Sequence, residues 1–443
     1  MAPTDPSPAP LDSVVRAVRD ALDGGPAYAP QPRLSDADVP AGTALVLRTS
    51  GSTGNPREVA LSAAALRASA EATHARLGGP GHWLLVLPPT HVAGVQVITR
   101  SLVTGRGVYP DTLDHFTAAG FAAVATDFAD FHAHGGRAYV SLVPTQLHRL
   151  VAAADDGAGA GLDALARFDA VLVGGAAAPA PLLARARAAG VRVVTTYGMS
   201  ETSGGCVYDG VPLDGVRVRL ADAGASADVE AVADADTEAR AGAKTGTGVV
   251  ELSGPMLAEG YVGDSEATAA AFRTDPDGTR WFRTSDLGRL DDGRLTILGR
   301  ADDVILTGGV NVAPAAVEDA MAEHLAEFGT PGETCVVGVP DAEWGQAVVA
   351  VVTIEAAGRT PVSREPSAAT SLADGGALVA GGGELLAGLR SAVGRRLGAP
   401  SAPRRVYVTT ALPTRGPGKT DRRAVRDAVV RAEREAAGEP VRP

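Results

Sequence analysis

Directly after the apolar run Ala44-Leu45-Val46-Leu47 the chain reads Thr49-Ser50-Gly51-Ser52-Thr53-Gly54-Asn55-Pro56-Arg57, hydroxyl side chains interleaved with glycines. Glycine lets a backbone turn sharply and gather its N–H groups on one side. Clustered N–H groups and hydroxyls form a concave anion site that suits a polyphosphate. The competing reading is a polar surface turn. The spacing is not the G-x-x-x-x-G-K-[ST] nucleotide loop, so the simplest NTPase reading fails.

Lysine usage singles out a second position. Of 40 basic residues only Lys244 and Lys419 are lysines. A chain that uses arginine almost everywhere keeps lysine where a compact ammonium does what a planar guanidinium does poorly. Lys244 lies in an acidic low-complexity stretch, where chance explains it. Lys419 lies in Pro413-Thr414-Arg415-Gly416-Pro417-Gly418-Lys419-Thr420-Asp421, a loop shaped by glycine and proline just before a helix. A solvated surface lysine is the alternative.

Three further segments offer oxygen and aromatic groups. Tyr197-Gly198-Met199-Ser200-Glu201-Thr202 supplies a ring able to stack on a base and a carboxylate able to hold Mg²⁺, which commonly takes one carboxylate plus substrate phosphates. Read structurally, it is a strand-to-helix turn capped by Ser200. Asp286, in Trp281-Phe282-Arg283-Thr284-Ser285-Asp286-Leu287-Gly288, is a carboxylate that can accept two ribose hydroxyls, or a turn-forming aspartate. His91 follows Pro88 and Pro89 at the end of a strand-like run, where a site-lining role competes with a structural one.

These groups need elements to hold them. Strands are expected at 43–48, 83–87, 138–143, 169–173 and 191–196, with helical stretches between them such as 62–77, opened by Ser62 and closed by Gly78-Gly79. The alternation predicts a mostly parallel sheet flanked by helices. Each expected strand runs into an unusual loop: 49–57, Pro88–His91, Pro144–Gln146, Gly174–Ala177 and Tyr197–Thr202. Ligands of parallel sheets bind beyond the carboxyl ends of the strands, so the loops predict one composite site. Residues 221–247 and 356–382 read as loosely ordered insertions. Turns are expected at Asp277-Gly278 and Asp292-Gly293. Beyond Arg300 the pattern changes to a compact α+β module, with helices near Pro314, over 384–397 and from about 421, and strands at 334–339, 346–354 and 404–409. Gly299 to Val312 lies at the change and reads as a hinge.

A chain of 443 residues suits more than one domain. A hydrophobic fraction of 45% and a charged fraction of 21% are ordinary for a globular protein. The formal charge of -12 argues against a nucleic-acid surface. Cys206 and Cys335 make neither a disulfide framework nor a metal spacing. The proline-rich start is no signal peptide and no apolar run spans a bilayer, so a soluble cytoplasmic protein is expected. A homodimer is the base expectation for its assembly.

Taken together, the segments resemble the adenylate-forming superfamily of acyl-CoA ligases, adenylation domains and luciferases, from about residue 43 to about 425. The motifs appear in the family's order. The resemblance implies an α/β fold: a large N-terminal domain of mostly parallel sheets flanked by helices, over 1–299, and a smaller mobile α+β domain, over 300–443. It implies ATP, Mg²⁺ and coenzyme A. Thr49, Ser50, Gly51, Ser52, Thr53, Gly54 and Arg57 would bind the phosphates, with Thr53 and Glu201 toward the metal. Gly175, Ala176, Tyr197, Gly198 and Thr202 would bind the adenosine, and Asp286 and Arg300 the ribose. Asp302 would be the hinge residue, and Gly308 and Gly309 would face the thioester step. Lys419 would serve adenylation, with Glu201 and His91 beside it as catalytic groups. Two departures stand out: Arg57 replaces the family's loop lysine and Ser285 a common glycine, while the segment before Thr49 is short.

Within that family the chain is most similar to o-succinylbenzoate–CoA ligases of menaquinone biosynthesis. The segments that carry this are Pro88 to Leu102, Ser141 to Leu147 and Gly204 to Gly210. The substrate implied is a small aromatic carboxylate, with His91, Arg100, Gly198 and Ser203 around it. It has two carboxylates, and Arg100 is the candidate partner for the one that does not react. An exposed helix arginine is the alternative there. Other readings are a different aryl- or acyl-CoA ligase, an adenylation enzyme loading a carrier protein, and a non-catalytic nucleotide-binding relative. With no carrier module before Pro443, free coenzyme A is favoured. Lys419, Glu201 and Asp286 together favour catalysis.

Overall fold

Valine-rich runs such as Ala170–Gly174 become central strands because both of their faces are covered. The computed structural model describes residues 11–49, 56–110, 115–132, 135–221, 246–327, 332–353, 370–371, 377–415 and 419–436. The chain divides into two compact units. One comprises Met1–Ala178, Leu182–Val218 and Glu251–Thr284; the other comprises Pro179–Pro181, Arg219–Val250 and Ser285–Pro443.

The first unit is built on a seven-stranded sheet. Its spatial order is Tyr109–Pro110, Gly81–Leu85, Arg137–Leu142, Ala170–Gly174, Val193–Met199, Gly204–Tyr208, Val211–Pro212. The first five are mutually parallel, Gly204–Tyr208 runs antiparallel to them, and Val211–Pro212 runs antiparallel to Gly204–Tyr208. One face buries Val140, Leu142, Val171 and Val173 beneath Phe121, Phe128, Leu147 and Leu165 from helices Ala118–His132, Pro144–Asp155 and Ala160–Leu165. Helix Val92–Val103 packs against Gly81–Leu85, and helix Ala63–Arg76 starts as expected, with Ser62 Oγ accepting from the Ala65 amide. Tyr109–Pro110 and Arg137–Leu142 lie on opposite sides of Gly81–Leu85. That reversal is the topological switch point at which doubly wound sheets bind ligands.

The strand expected at 43–48 does not join this sheet. Thr43–Arg48 turns back on Glu58–Ser62, which also pairs with Gly260–Tyr261 in a separate antiparallel sheet. A parallel crossover needs about a dozen residues or more, and the segment 49–57 is too short for one. The chain thus returns antiparallel, and the Thr49 amide donates to the Arg57 carbonyl at 2.8 Å.

In the second unit, alternation along Thr334–Asp341 and Gly345–Thr353 sorts side chains to two faces. Val336, Val348, Ala350 and Val352 meet helices Pro314–Glu327 and Gly383–Leu397. Cys335, Val337, Val349 and Val351 meet Val425 and Val429 of helix Arg422–Ala436. Arg405–Thr409 runs parallel to Gly345–Thr353. The span 356–382, expected to be a loose insertion, contributes the strand Ala377–Ala380, which pairs with Arg405–Thr409. Its small-residue composition hid the strand, whose anchor is the buried Leu378. Residues 222–245 of the other expected insertion lie outside the described residues, between strands Arg217–Ala221 and Gly246–Ser253.

Both cysteines are buried, and burial pushes each thiol up to about 12, which makes them packing groups. Among the described residues no helix is long and apolar enough to cross a membrane.

Candidate active site

Two loops frame the switch point of the parallel sheet. Gln146 ties them: its Oε1 accepts the Val143 amide at 3.0 Å and its Nε2 donates to the Val86 carbonyl at 3.1 Å. His91 sits at the N-cap of helix Val92–Val103, its Nδ1 3.0 Å from Thr90 Oγ1. The helix start is pressed onto the preceding turn, since a Cβ on Gly94 would stand 2.2 Å from the Pro88 carbonyl oxygen. Glycine at that position is what allows His91 to lie beside the strand ends.

Two strands along, Gly175 and Ala176 follow Ala170–Gly174 and are exposed. Gly174 pairs with Thr196, which sets this loop beside Tyr197 and Gly198. Tyr197 is half-buried, and Gly198 faces Gly205 across the antiparallel step. The turn Ser200–Thr202 is closed by Thr202 rather than Ser200: Thr202 Oγ1 accepts from the Met199 amide at 2.9 Å and lies 2.7 Å from the Gly204 carbonyl. Ser203, expected toward the substrate, is fully buried in the left-handed region with φ 50°. Its hydroxyl donates to the Met256 carbonyl at 2.8 Å, and its own carbonyl accepts from Gln96 and Ser69. The side chain therefore holds the chain rather than a ligand.

Glu201 is gripped from one side by the segment 258–261. Its backbone carbonyl accepts the Ala258 amide at 2.9 Å, and its Oε1 accepts the Tyr261 hydroxyl at 3.0 Å. Tyr261 also faces Arg57, whose guanidinium carbon lies 5.0 Å from the ring centroid. Strand register explains the meeting. Tyr261 pairs with Val59, so Arg57 is its diagonal neighbour on the same face, within reach of a long side chain. Thr49, Arg57 and Glu201 are thereby brought to one place; Ser50, Gly51, Ser52, Thr53 and Gly54 lie outside the described residues. The sequence marks Gln146 only as part of the loop Pro144–Gln146 and does not mark Tyr261 at all. A lone tyrosine after a glycine has no spacing to announce it, and only pairing with Val59 reveals its neighbours.

Arg100 is not the exposed helix residue of the alternative reading. It is 3% exposed, its guanidinium carbon 4.7 Å from the Trp83 ring centroid and its Nη2 3.3 Å from Tyr208 Oη. Its Nε has no hydrogen-bond partner, and among the described residues no carboxylate lies at ion-pair distance. Burial lowers its pKa from the usual guanidinium value. A cation taken from water without a counter-charge is costly.

In the second unit, the two-residue turn Asp292-Gly293 has φ of 48° and 78°, the type I′ geometry that keeps hairpin strands in register. The register holds as far as Gly288 and Ile297, and a bulge at Leu298 then shifts it by one, which sets Asp286 opposite Arg300. Arg300 Nη1 is 3.8 Å from Asp286 Oδ1, and the same guanidinium binds Asp302 in bidentate fashion at 2.8 and 2.9 Å. Gly308 and Gly309 form the turn between Ile305–Thr307 and Val310–Val312. Lys419 is exposed and pairs with Arg415 in a short hairpin.

In the first unit, the Thr49 hydroxyl, the Arg57 guanidinium and the Glu201 carboxylate are groups that suit a metal-bound polyphosphate. Among the described residues there is no group of three or more His, Cys, Asp or Glu that could hold a metal by itself. Glu201 offers one hard oxygen donor, the share a protein usually contributes to Mg²⁺ on a nucleotide.

The AMP-binding enzyme family matches residues 5–262, and the AMP-binding enzyme C-terminal domain matches 316–419. The chain belongs to the adenylate-forming family of AMP-binding enzymes. It is 42% identical over 385 residues, 86% of its length, to the "Probable 2-succinylbenzoate–CoA ligase" of Mycobacterium tuberculosis, covering 83% of that relative. The amide bond synthetase McbA from Marinactinospora thermotolerans is similar in structure, with a TM-score of 0.64, 26% identity and coverage of 91% of this chain and 74% of that one. The o-succinylbenzoate CoA synthetase (MenE) from Bacillus subtilis, solved with an acyl-adenylate, shares the fold with a TM-score of 0.63 at 24% identity, over 88% of this chain and 70% of that one.

Proposed function

We propose that this enzyme is a 2-succinylbenzoate–CoA ligase. The observation that carries the reading is the 42% identity across 86% of the chain to a relative of that name. In the first half-reaction a carboxylate oxygen of the acid attacks the α-phosphorus of ATP, and the bond to pyrophosphate breaks. In the second, the coenzyme A thiol adds to the acyl carbon and AMP leaves. Such chemistry depends on positioning and charge neutralisation.

The loop 49–57 would hold the β- and γ-phosphates and Glu201 the Mg²⁺, which supplies charge neutralisation on the phosphate oxygens. Gly175, Ala176, Tyr197 and Gly198 would border the adenine, while His91 lines the acid. Asp286 and Arg300 would take the ribose; their cross-strand pairing supports this. Lys419 would steady charge between carboxylate and α-phosphate. Division of the chain at 299/300, with turning about Asp302, would present Gly308 and Gly309 for thioester formation. The direct test is pyrophosphate release with a panel of carboxylic acids, followed by AMP release with coenzyme A or carrier proteins. o-Succinylbenzoate with coenzyme A is expected to give the highest kcat/KM. Equal turnover of benzoate or a fatty acid would overturn the assignment.

The acid carries a second carboxylate, and the buried guanidinium of Arg100 supports a role as its counter-charge. Arg100→Lys keeps a cation but loses the planar stack on Trp83 and the fork of donors. The KM for o-succinylbenzoate is expected to rise about tenfold or more, on the scale of one charged hydrogen bond. The KM for ATP is expected to stay put. Parallel increases in both would remove Arg100 from the acid site.

A further inference from the structure

We infer that Tyr261 is a positioning residue that sets both the Glu201 carboxylate and the cation at the end of the glycine loop, one with its hydroxyl and the other with its ring face. The inference rests on the reading of Glu201 and the loop 49–57 as the magnesium–nucleotide site.

The geometry has two halves. The hydroxyl donates to Glu201 Oε1 at 3.0 Å, which fixes one carboxylate oxygen in direction. A carboxylate has about four lone-pair positions, so a phenol bond does not saturate it for a cation. Tyr261 is itself held. It is 8% exposed, its amide donates to Thr268 Oγ1 at 2.9 Å, and its ring lies edge-on to Phe272 with centroids 5.9 Å apart. Burial, then the neighbouring Glu201 charge, raises the phenol pKa, so the hydroxyl remains a donor at neutral pH.

On the other side the ring meets Arg57. A planar guanidinium can lie over an aromatic face, a geometry that an ammonium matches less well. The Arg57 side chain is 49% exposed, and among the described residues its carboxylate neighbour is Asp264, whose Oδ2 is 3.9 Å away and 45% exposed. Tyr261, 8% exposed, is therefore a more ordered neighbour for the guanidinium than Asp264. Arginine in place of the family's loop lysine thus comes with a surface that orients it. A tyrosine filling space alone would need no hydroxyl, whereas this hydroxyl is aimed at the Glu201 carboxylate.

The test is calorimetric titration of the full chain with ATP, with and without Mg²⁺. Tyr261→Phe keeps the ring, so the melting temperature and metal-free ATP affinity should match the parent. Affinity for Mg–ATP should fall about tenfold, the scale of a lost hydrogen bond to a charged group. Tyr261→Leu removes the ring as well, and metal-free ATP affinity should also weaken. In a Glu201→Gln background, Tyr261→Phe should cost nothing further. A Tyr261→Phe protein with parental Mg–ATP affinity, or a fully additive loss in the Glu201→Gln background, overturns the assignment alone. A parent protein that gains no ATP affinity from Mg²⁺ overturns the nucleotide-site reading and the assignment with it.

Discussion

Replacing Lys419 with alanine is expected to lower carboxylate-dependent pyrophosphate release by about 10²–10³-fold, the loss seen when one preorganised charge-stabilising donor is removed. Thioester formation from acyl-AMP supplied ready-made should continue near the parental rate, because the charge Lys419 would stabilise develops only in the first step. The lysine is carried on a firm base. Lys419–Thr420 pairs with Thr414–Arg415, and the Asp421 amide donates to the Pro413 carbonyl at 2.7 Å. Asp421 Oδ1 then accepts the Ala424 amide at 3.1 Å, capping helix Arg422–Ala436. Lys419→Arg keeps the charge but spreads it over a plane, so partial rescue at most is expected. The two half-reactions, measured separately by pyrophosphate and thioester assays, decide the matter. Equal loss of both would refute the division of labour.

The second large effect concerns stability. Arg422 stands in the first turn of its helix, where a cation opposes the helix dipole. It is there because Glu318 takes it in a two-point grip, with Nη2 to Oε2 at 3.1 Å and Nη1 closer still to Oε1. Nη1 also donates to the Val336 carbonyl at 2.6 Å, and Asp303 Oδ2 is 3.6 Å from Nε. One guanidinium thus joins the terminal helix, helix Pro314–Glu327, strand Thr334–Asp341 and the turn Ala301–Asp303. Arg422→Ala leaves the Glu318 carboxylate, 15% exposed, without that partner. Breaking a fully buried pair costs about 3–5 kcal/mol. Arg422 keeps 30% of its side chain exposed, so solvent screens part of the charge. A loss of about 2–4 kcal/mol is expected. It should appear as an earlier urea transition of Trp344, which lies in the second unit. Arg422→Ala with Glu318→Ala should recover part of the loss by removing the stranded carboxylate. An unchanged midpoint in Arg422→Ala would show the cluster to be incidental.

Much of this was legible in the chain itself. The alternation of apolar runs with helical stretches placed the strands near 83–87, 138–143, 169–173 and 191–196 within a few residues, because covered strands and helix caps leave local marks. Asp292-Gly293 announced its hairpin for the same reason, and the lysine count drew the eye to Lys419. Local pattern could not say which strands pair. The run at 43–48 looks like its parallel neighbours, yet the short loop after it forces an antiparallel return, and this puts Arg57 diagonal to Tyr261. Nor could it say that Arg100 would be enclosed by Trp83 and Tyr208, or that Ser203 would turn inward. Those outcomes depend on partners scores of residues away along the chain, brought close by sheet register and helix packing. Residue type and spacing along a sequence carry the chemistry a chain can perform; pairing in space decides which groups hold which.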